Sequence, residues 1–373
     1  MSRDDLDDFS RHLKQSPIAP SSPTIFNPRD ESEMRELKTL LSSNAPRIND
    51  TYRSQLRELY AVRNPALAFS PEFEDSFQAY YKTQVMGHEF EEGRWVHYPW
   101  TGDLVHILEE DAFFELRTSR NKNLITKEEQ TKFYSTTVGI VGLSIGSSVA
   151  LSLTLLGGAR HFKLADHDSL ELSNLNRIPS GLSSLGLPKI EIAARSIYML
   201  NPYAKIDLHN EGITSENIDA FLDAVDILVD ECDDFPIKKL LREHAQKMRI
   251  VVISGADVGE RAVVDIERYD LKASTEAFNR RIPNISSESL AQLPKKEIGA
   301  LIARLVGAEN ESPRMHNLKT ELGKTIVSWP QLGATALANG AAVAYAILCM
   351  TSGFELSSRI VVNLGGVVSE KTT

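Results

Sequence analysis

The chain has 373 residues, 42% of them hydrophobic and 25% charged, with a formal net charge of -10. That is enough apolar material for one large domain with additions, or for two domains. The acidic balance argues against nucleic acid as the main partner, because phosphate contacts require a basic footprint.

The first 30 residues begin MSRDDLDDFSRHLKQSP and end in a Ser- and Pro-rich stretch. They contain no apolar core of the kind a secretory signal needs and little to bury, so a disordered or loosely docked tail is expected. Residues 33–41 and 50–62 carry Met, Leu, Tyr and Val at helical intervals, with Asn49 or Asp50 available as a cap. Ser70-Pro71-Glu72-Phe73 reads as a helix start, with Ser70 at the cap and Pro71 in the first turn. Residues 94–108 (RWVHYPWTGDLVHIL) read as two short strands around a turn at 99–103. Residues 31–115 thus form an accessory α+β region.

From Thr137 the pattern changes. TVGIVGL reads as a strand, SSVALSLTLLGGA as a helix and HFKLAD as a second strand. Helices are expected at 193–200, 218–224 and 236–247, and strands at 205–208, 227–229 and 250–254. Strands alternating with helices imply a Rossmann-like, doubly wound, mostly parallel α/β sheet, whose ligands sit beyond the carboxyl ends of the strands. Residues 332–350 (LGATALANGAAVAYAILCM) approach membrane-spanning length, but Ala, Gly, Asn339 and the lack of basic flanks favour a buried helix or a dimer interface.

Gly142-Leu143-Ser144-Ile145-Gly146 lies between a strand and a helix. It admits two readings: a nucleotide-binding turn, or the nucleophile elbow of a serine hydrolase with Ser144 as nucleophile. As a dinucleotide fingerprint it is imperfect, since Ser144 and Ser147 replace the second and third glycines. The next strand ends at Asp166, about 24 residues on, near the spacing at which an acid meets a ribose hydroxyl. A hydrolase elbow requires nothing there, which favours the nucleotide.

The string Asp166-His167-Asp168-Ser169-Leu170-Glu171-Leu172-Ser173-Asn174-Leu175-Asn176-Arg177 resembles the D-x-D-x-[VIL]-x-x-S-N-L-x-R motif of the superfamily of ubiquitin-activating enzymes, ThiF, MoeB and microcin-type peptide-adenylating enzymes. Leu187-Pro188-Lys189, Asn201-Pro202 and Asp230-Glu231-Cys232-Asp233-Asp234 follow in the family's order, and the resemblance covers about residues 116–269. WVHYPW, Ile125-Thr126 and DIERYDL further resemble a bacterial subgroup of ThiF-domain proteins with an N-terminal extension.

The resemblance implies ATP and Mg²⁺ as the groups bound. It gives Gly142, Ser144 and Gly146 to the phosphate turn, Asp166 to the ribose, and Asn174, Arg177 and Lys189 to the phosphates. Asp233 becomes the metal ligand, and Asp168 either assists through a water or caps the next turn. Arg117-Thr118-Ser119-Arg120-Asn121 resembles the segment whose second arginine reaches the ATP of a partner subunit, so a homodimer with Arg120 acting in trans is implied. Arg117 is the other candidate finger.

The chain also departs from the family. It lacks the zinc-binding cysteine pairs of many relatives, so no zinc is expected, and no cysteine lies between residues 269 and 329, where thioester-forming relatives keep theirs. Cys232 and Cys349 read as packing residues, and two cysteines are too few for a disulfide framework or a four-thiolate zinc site, which fits a reducing cytoplasm. Ile178 replaces a common Gln. Lys324, in Gly323-Lys324-Thr325, lacks a P-loop glycine, and nothing ties His316 to Ser144.

The expected function is therefore Mg²⁺- and ATP-dependent adenylation of a carboxylate on a peptide or small protein, in peptide natural-product maturation. Residues 31–115 would serve as a peptide-binding region, and an insertion at about 276–328 would form either a mobile crossover loop or a plain helical insertion. Activation of a ubiquitin-like or sulfur-carrier C-terminus, a serine hydrolase, a nicotinamide dehydrogenase and a non-catalytic nucleotide-binding scaffold are the alternatives. Neither nucleic acid nor a membrane is expected as a partner.

Overall fold

The computed structural model describes residues 19–272, 275–311, 313–318 and 320–367. Its first region is a four-stranded sheet of β1 (Thr24–Phe26), β2 (Arg47–Asp50), β3 (Arg94–Tyr98) and β4 (Asp103–Ile107), ordered β1-β3-β4-β2. β3 and β4 form the expected antiparallel hairpin. Helices Tyr52–Arg63 and Phe73–Val85 bring Tyr52, Leu56, Leu59, Phe73, Phe77 and Tyr81 into one apolar cluster.

Three local expectations fail here for identifiable reasons. The tail expected through residue 30 is docked from Thr24, because β1 pairs with β3 and buries Phe26, while residues 1–18 lie outside the described residues. Asn49 and Asp50 belong to β2 and do not cap a helix; Asp50 Oδ1 pairs with His106 Nδ1 at 2.9 Å and accepts from the Tyr52 amide at 3.2 Å. The Ser70 hydroxyl turns onto the Glu72 carboxylate, and the helix begins at Phe73.

The second region is a seven-stranded sheet of β5 (Thr137–Val141), β6 (His161–Ala165), β7 (Lys205–His209), β8 (Ile227–Asp230), β9 (Val251–Val258), β10 (Arg261–Glu267) and β11 (Arg359–Asn363). The order is β11-β10-β9-β8-β5-β6-β7. β9-β8-β5-β6-β7 are parallel, and β10 and β11 add antiparallel strands at one end. The sheet is thus mixed α/β and mostly parallel.

Short β-branched runs such as VVI and ILV suit strands covered on both faces. Helices Gly146–Leu155, Lys189–Leu200 and Gly333–Thr351 cover one face. Helices Ile218–Leu222 and Phe235–Met248 cover the other.

From β5 the chain moves outward through β6 and β7, then returns to lay β8 on the other flank of β5. That reversal opens a crevice at the carboxyl ends of β5 and β8.

The Gly333–Thr351 helix is long and apolar enough to cross a membrane by length and composition, yet half of its apolar window is buried. It packs on the Gly146–Leu155 helix, and a Cβ on Gly340 would lie 2.5 Å from the Ser148 backbone. The 276–328 segment carries three short helices among turns, Ser287–Ala291, Lys295–Val306 and Pro313–Leu318. Phe278, Ile282 and Leu290 anchor it on Phe235.

Candidate functional site at the strand tips

Gly142 follows β5 with a φ of +85°, and a Cβ there would stand 2.5 Å from the Glu231 carbonyl oxygen. Only glycine satisfies both the torsion and the approach. The Gly142 amide donates to the Ala165 carbonyl at 2.9 Å, and the Glu231 amide donates to the Val141 carbonyl at 2.8 Å. The tips of β5, β6 and β8 therefore meet at this residue. Gly146 opens the following helix, where a Cβ would press on the Ile140 side chain at 2.9 Å. Ser147 fills the place of a third glycine and donates its hydroxyl to the Leu143 carbonyl, at 2.5 Å.

Asp166 is buried at the end of β6. Its Oδ2 accepts from the Leu143 amide at 2.6 Å and its Oδ1 from the Asp168 amide at 2.7 Å. Each oxygen keeps a further lone pair for another donor.

Asp168 does not cap the turn that follows it. Glu171 does, in a reciprocal pair with Asn174, whose Oδ1 accepts from the Glu171 amide at 3.2 Å. Asp168 accepts instead from the buried Lys189 ammonium at 2.8 Å, which holds its carboxyl below the usual range.

Arg177 donates from Nε to Ser144 Oγ at 3.0 Å. The group facing Ser144 is thus a proton-saturated cation and not a base. Ser144 is also absent from the residues with positive φ, whereas an elbow nucleophile sits on a strained turn.

Asp233 is exposed on the loop after β8. Among the described residues, no three of His, Cys, Asp and Glu gather as a metal site. Cys232 donates its thiol to Asp230 at 3.0 Å, and burial beside that carboxylate pushes the thiol well above the ordinary cysteine range.

Arg120 is not brought to these tips. Its turn, Ser119–Asn121, lies at the far end of the Gly146–Leu155 helix, where Asn121 donates to the Leu156 carbonyl at 3.0 Å. Arg117 is pinned there through the Thr154 carbonyl, at 2.5 Å. Arg120 is exposed and makes no hydrogen bond or ion pair among the described residues. Lys324 lies in the segment before the C-terminal helix, and the His316 side chain lies outside the described residues.

Sequence reasoning missed a set of buried polar groups behind the turn. Glu231 is 6% exposed and accepts from the Gly255 amide at 2.9 Å. Burial, opposed by Lys238 and reinforced by Asp230 and Asp257, pushes its carboxyl up to about 8. Asp257 is 8% exposed and accepts from Asn339 at 3.0 Å. Burial pushes it up to about 6, against the pull of Asn339 and Arg177. The available signals were an unassigned Glu in the D-E-C-D-D string and a single Asn in an apolar helix.

A Rossmann-like sheet with a glycine turn, a strand-end acid and paired basic side chains at its switch point is the frame of a nucleotide-binding protein. The ThiF family profile matches residues 118–327, and the chain belongs to the ThiF family.

It is 37% identical over 265 residues to the uncharacterized protein MT1398 of Mycobacterium tuberculosis (strain CDC 1551 / Oshkosh), covering 71% of this chain and 37% of that one. It is 25% identical over 211 residues to ubiquitin-like modifier-activating enzyme 5 of Drosophila willistoni, covering 53% of this chain and 51% of that enzyme. The chain therefore spans about half or less of the length of these relatives. Among solved structures, E. coli tRNA N6-threonylcarbamoyladenosine dehydratase, TcdA, superposes with a TM-score of 0.46 at 17% identity, over 64% of this chain and 95% of that one. E. coli MccB with ATP superposes with a TM-score of 0.44 at 17% identity, over 64% and 63%.

Proposed function

We propose that this chain binds MgATP in the crevice beyond β5, β6 and β8 and adenylates a carboxylate on a peptide or small protein in the cytoplasm. The observation that carries the reading is the meeting of three strand tips at Gly142, whose backbone has no room for a side chain. The turn leads into the N-terminus of a helix, where backbone amides and the helix dipole favour an anion.

Each residue then has a task. Asp166, already held by two amides, accepts the ribose hydroxyls. Arg177, Lys189 and Asn174 neutralise and orient the phosphates, with Ser144 steering the Arg177 guanidinium and Asp168 the Lys189 ammonium. Asp233 holds Mg²⁺, an ion that needs one or two carboxylates once phosphates supply the remaining ligands. Arg120 serves the crevice of a second copy.

ATP supplies an electrophilic α-phosphorus and pyrophosphate as leaving group. A carboxylate oxygen bonds to that phosphorus as the bond to pyrophosphate breaks, giving an acyl-adenylate. The protein's share is positioning and charge neutralisation. With the Cys232 thiol buried and its pKa raised, the acyl group passes to an outside nucleophile without a protein thioester.

A peptide substrate, in natural-product maturation, fits the accessory region at residues 31–115. A ubiquitin-like C-terminus is the second reading, favoured by the similarity to ubiquitin-like modifier-activating enzyme 5. ATP–pyrophosphate exchange, run with carboxylate peptides and with a ubiquitin-like protein, tests both. Exchange should depend on one of them and be lost in Asp233→Ala and Arg177→Ala. Exchange that survives both changes would refute the site.

A further inference from the structure

Four buried oxygens beside the crevice have no hydrogen-bonding partner: Glu231 Oε2, Asp257 Oδ2, Asn339 Oδ1 and Ser148 Oγ. Their residues are 6%, 8%, 0% and 0% exposed, so bulk water does not compensate them. Buried polar atoms are nearly always paired, and unpaired buried carboxylates are costly.

These atoms belong to side chains on four elements that abut one another. Glu231 Oε1 accepts from the Gly255 amide at 2.9 Å, which lays this side chain along β9. Its Cβ also lies 3.8 Å from where a Cβ on Gly146 would stand, beside the first turn of the helix that carries Ser148. Gly255 has no side chain because the Asn339 carboxamide occupies that space, with Nδ2 2.5 Å from the Cβ position. Asn339 Nδ2 then donates to Asp257 Oδ1 at 3.0 Å, two residues further along the same face of β9. Gly340, next to Asn339, abuts Ser148.

The neighbouring cations are already engaged. Lys238 Nζ donates to Asp230 Oδ1 at 3.1 Å, and Arg177 Nε donates to Ser144. Turning the Asn339 amide over would remove the donor to Asp257 and so would not supply what is missing. Three unpaired acceptors and a hydroxyl, two of the acceptors on carboxyl groups, lack one thing in common: positive charge.

The geometry points to a metal site in this cage, taking one hard divalent cation of the Mg²⁺, Ca²⁺ or Mn²⁺ class on Glu231, Asp257, Asn339 and Ser148. An all-oxygen donor set selects that class over the softer transition metals. The site is separate from Asp233 and needs no nucleotide. The ion would tie the β8 tip to β9, to the helix after the glycine turn and to the C-terminal helix. It would thereby fix the floor of the crevice.

The test uses the full chain, stripped with chelator, free of nucleotide and titrated calorimetrically with MgCl₂, CaCl₂ and MnCl₂ separately. One equivalent of at least one ion should bind. Loss of an outer-shell partner alone weakens metal sites by about 10–100-fold, so Glu231→Gln and Asp257→Asn should each weaken binding at least about tenfold. Asp233→Ala should leave it unchanged.

No saturable binding of any of the three ions, full affinity in both amide variants, or loss of binding in Asp233→Ala overturns the site. Should an amide variant fail to fold, Asn339→Asp adds a carboxylate to the same cage and should tighten binding; unchanged or weaker affinity overturns the site as well. Since no nucleotide is present, this outcome is independent of pyrophosphate exchange.

Discussion

Gly142 is held by two constraints at once, a positive torsion and a carbonyl in the space of a Cβ. Gly142→Ala should destabilise the fold by at least about 1 kcal/mol, because alanine at positive φ is strained before any clash is counted. Urea unfolding reads that loss, and an unchanged midpoint would show that the turn relaxes freely.

Glu231 and Asp257 set a pH dependence at the same place. Burial raises the folded-state carboxyls to about 8 and about 6, above their unfolded values. The folded state therefore binds more protons than the unfolded one in that window. Their contribution is fully present below the unfolded carboxyl values and is lost as pH rises through about 6 and then about 8. In chelator, the urea midpoint should fall between about pH 5 and about pH 8.5. The Glu231→Gln/Asp257→Asn double variant should flatten that slope, and an equal slope in both proteins would contradict the assignment.

The motif residues Asp166, Asn174, Arg177 and Lys189 were legible in the sequence because one short string carries them. Glu231, Asp257, Asn339 and Ser148 were not, since what joins them is packing between elements far apart along the chain.

The loop after β8 is braced from behind by the helix Phe235–Met248. Asp230, fully buried, accepts from Arg242 Nη1 at 2.5 Å, and Arg242 Nε donates to Glu267 at 2.7 Å. The guanidinium also lies 4.1 Å from the Phe278 ring centroid, which ties the helical insertion into the same brace. At the helix start, the Asp234 side chain accepts from the Ile237 amide at 2.9 Å.

Arg242→Ala would leave buried Glu267 without its cation and Asp230 with Lys238 alone, a change that costs about 3–5 kcal/mol when a buried pair is broken. Denaturant unfolding checks it, and a cost near that of a surface substitution would mean the network is dispensable.

The inner parallel strands were readable because apolar runs bounded by turns announce strands buried on both faces. The end of β9, with β10 and β11, was not. Gly255 and Asp257 interrupt the apolar run, because they face a helix whose Asn339 fills the space. β11 is an edge strand that is only partly buried.

Across the molecule, the Ser119–Asn121 turn and the glycine turn stand at opposite ends of the Gly146–Leu155 helix. Ten residues of helix span about 15 Å, too far for Arg120 to serve its own crevice. Exposed Leu124, Leu155 and Tyr345 lie on the helices and loop around that end. If a second copy completes the site, Arg120→Ala and Asp233→Ala proteins, each inactive alone, should recover exchange on mixing. Random pairing leaves about a quarter of the sites intact, so about that fraction of activity is expected. No recovery in freely exchanging dimers would place Arg120 outside the reaction.

The most direct test is calorimetric titration of MgATP into the wild-type chain and into Asp166→Ala, Arg177→Ala and Lys189→Ala, with NADH as the competing ligand. We expect ATP to bind at one site per chain, at least about tenfold more weakly in each variant, since each removes a charge-assisted contact, and NADH not to bind. Wild-type affinity for ATP in all three variants, or a preference for NADH, would contradict a triphosphate crevice at the tips of β5, β6 and β8.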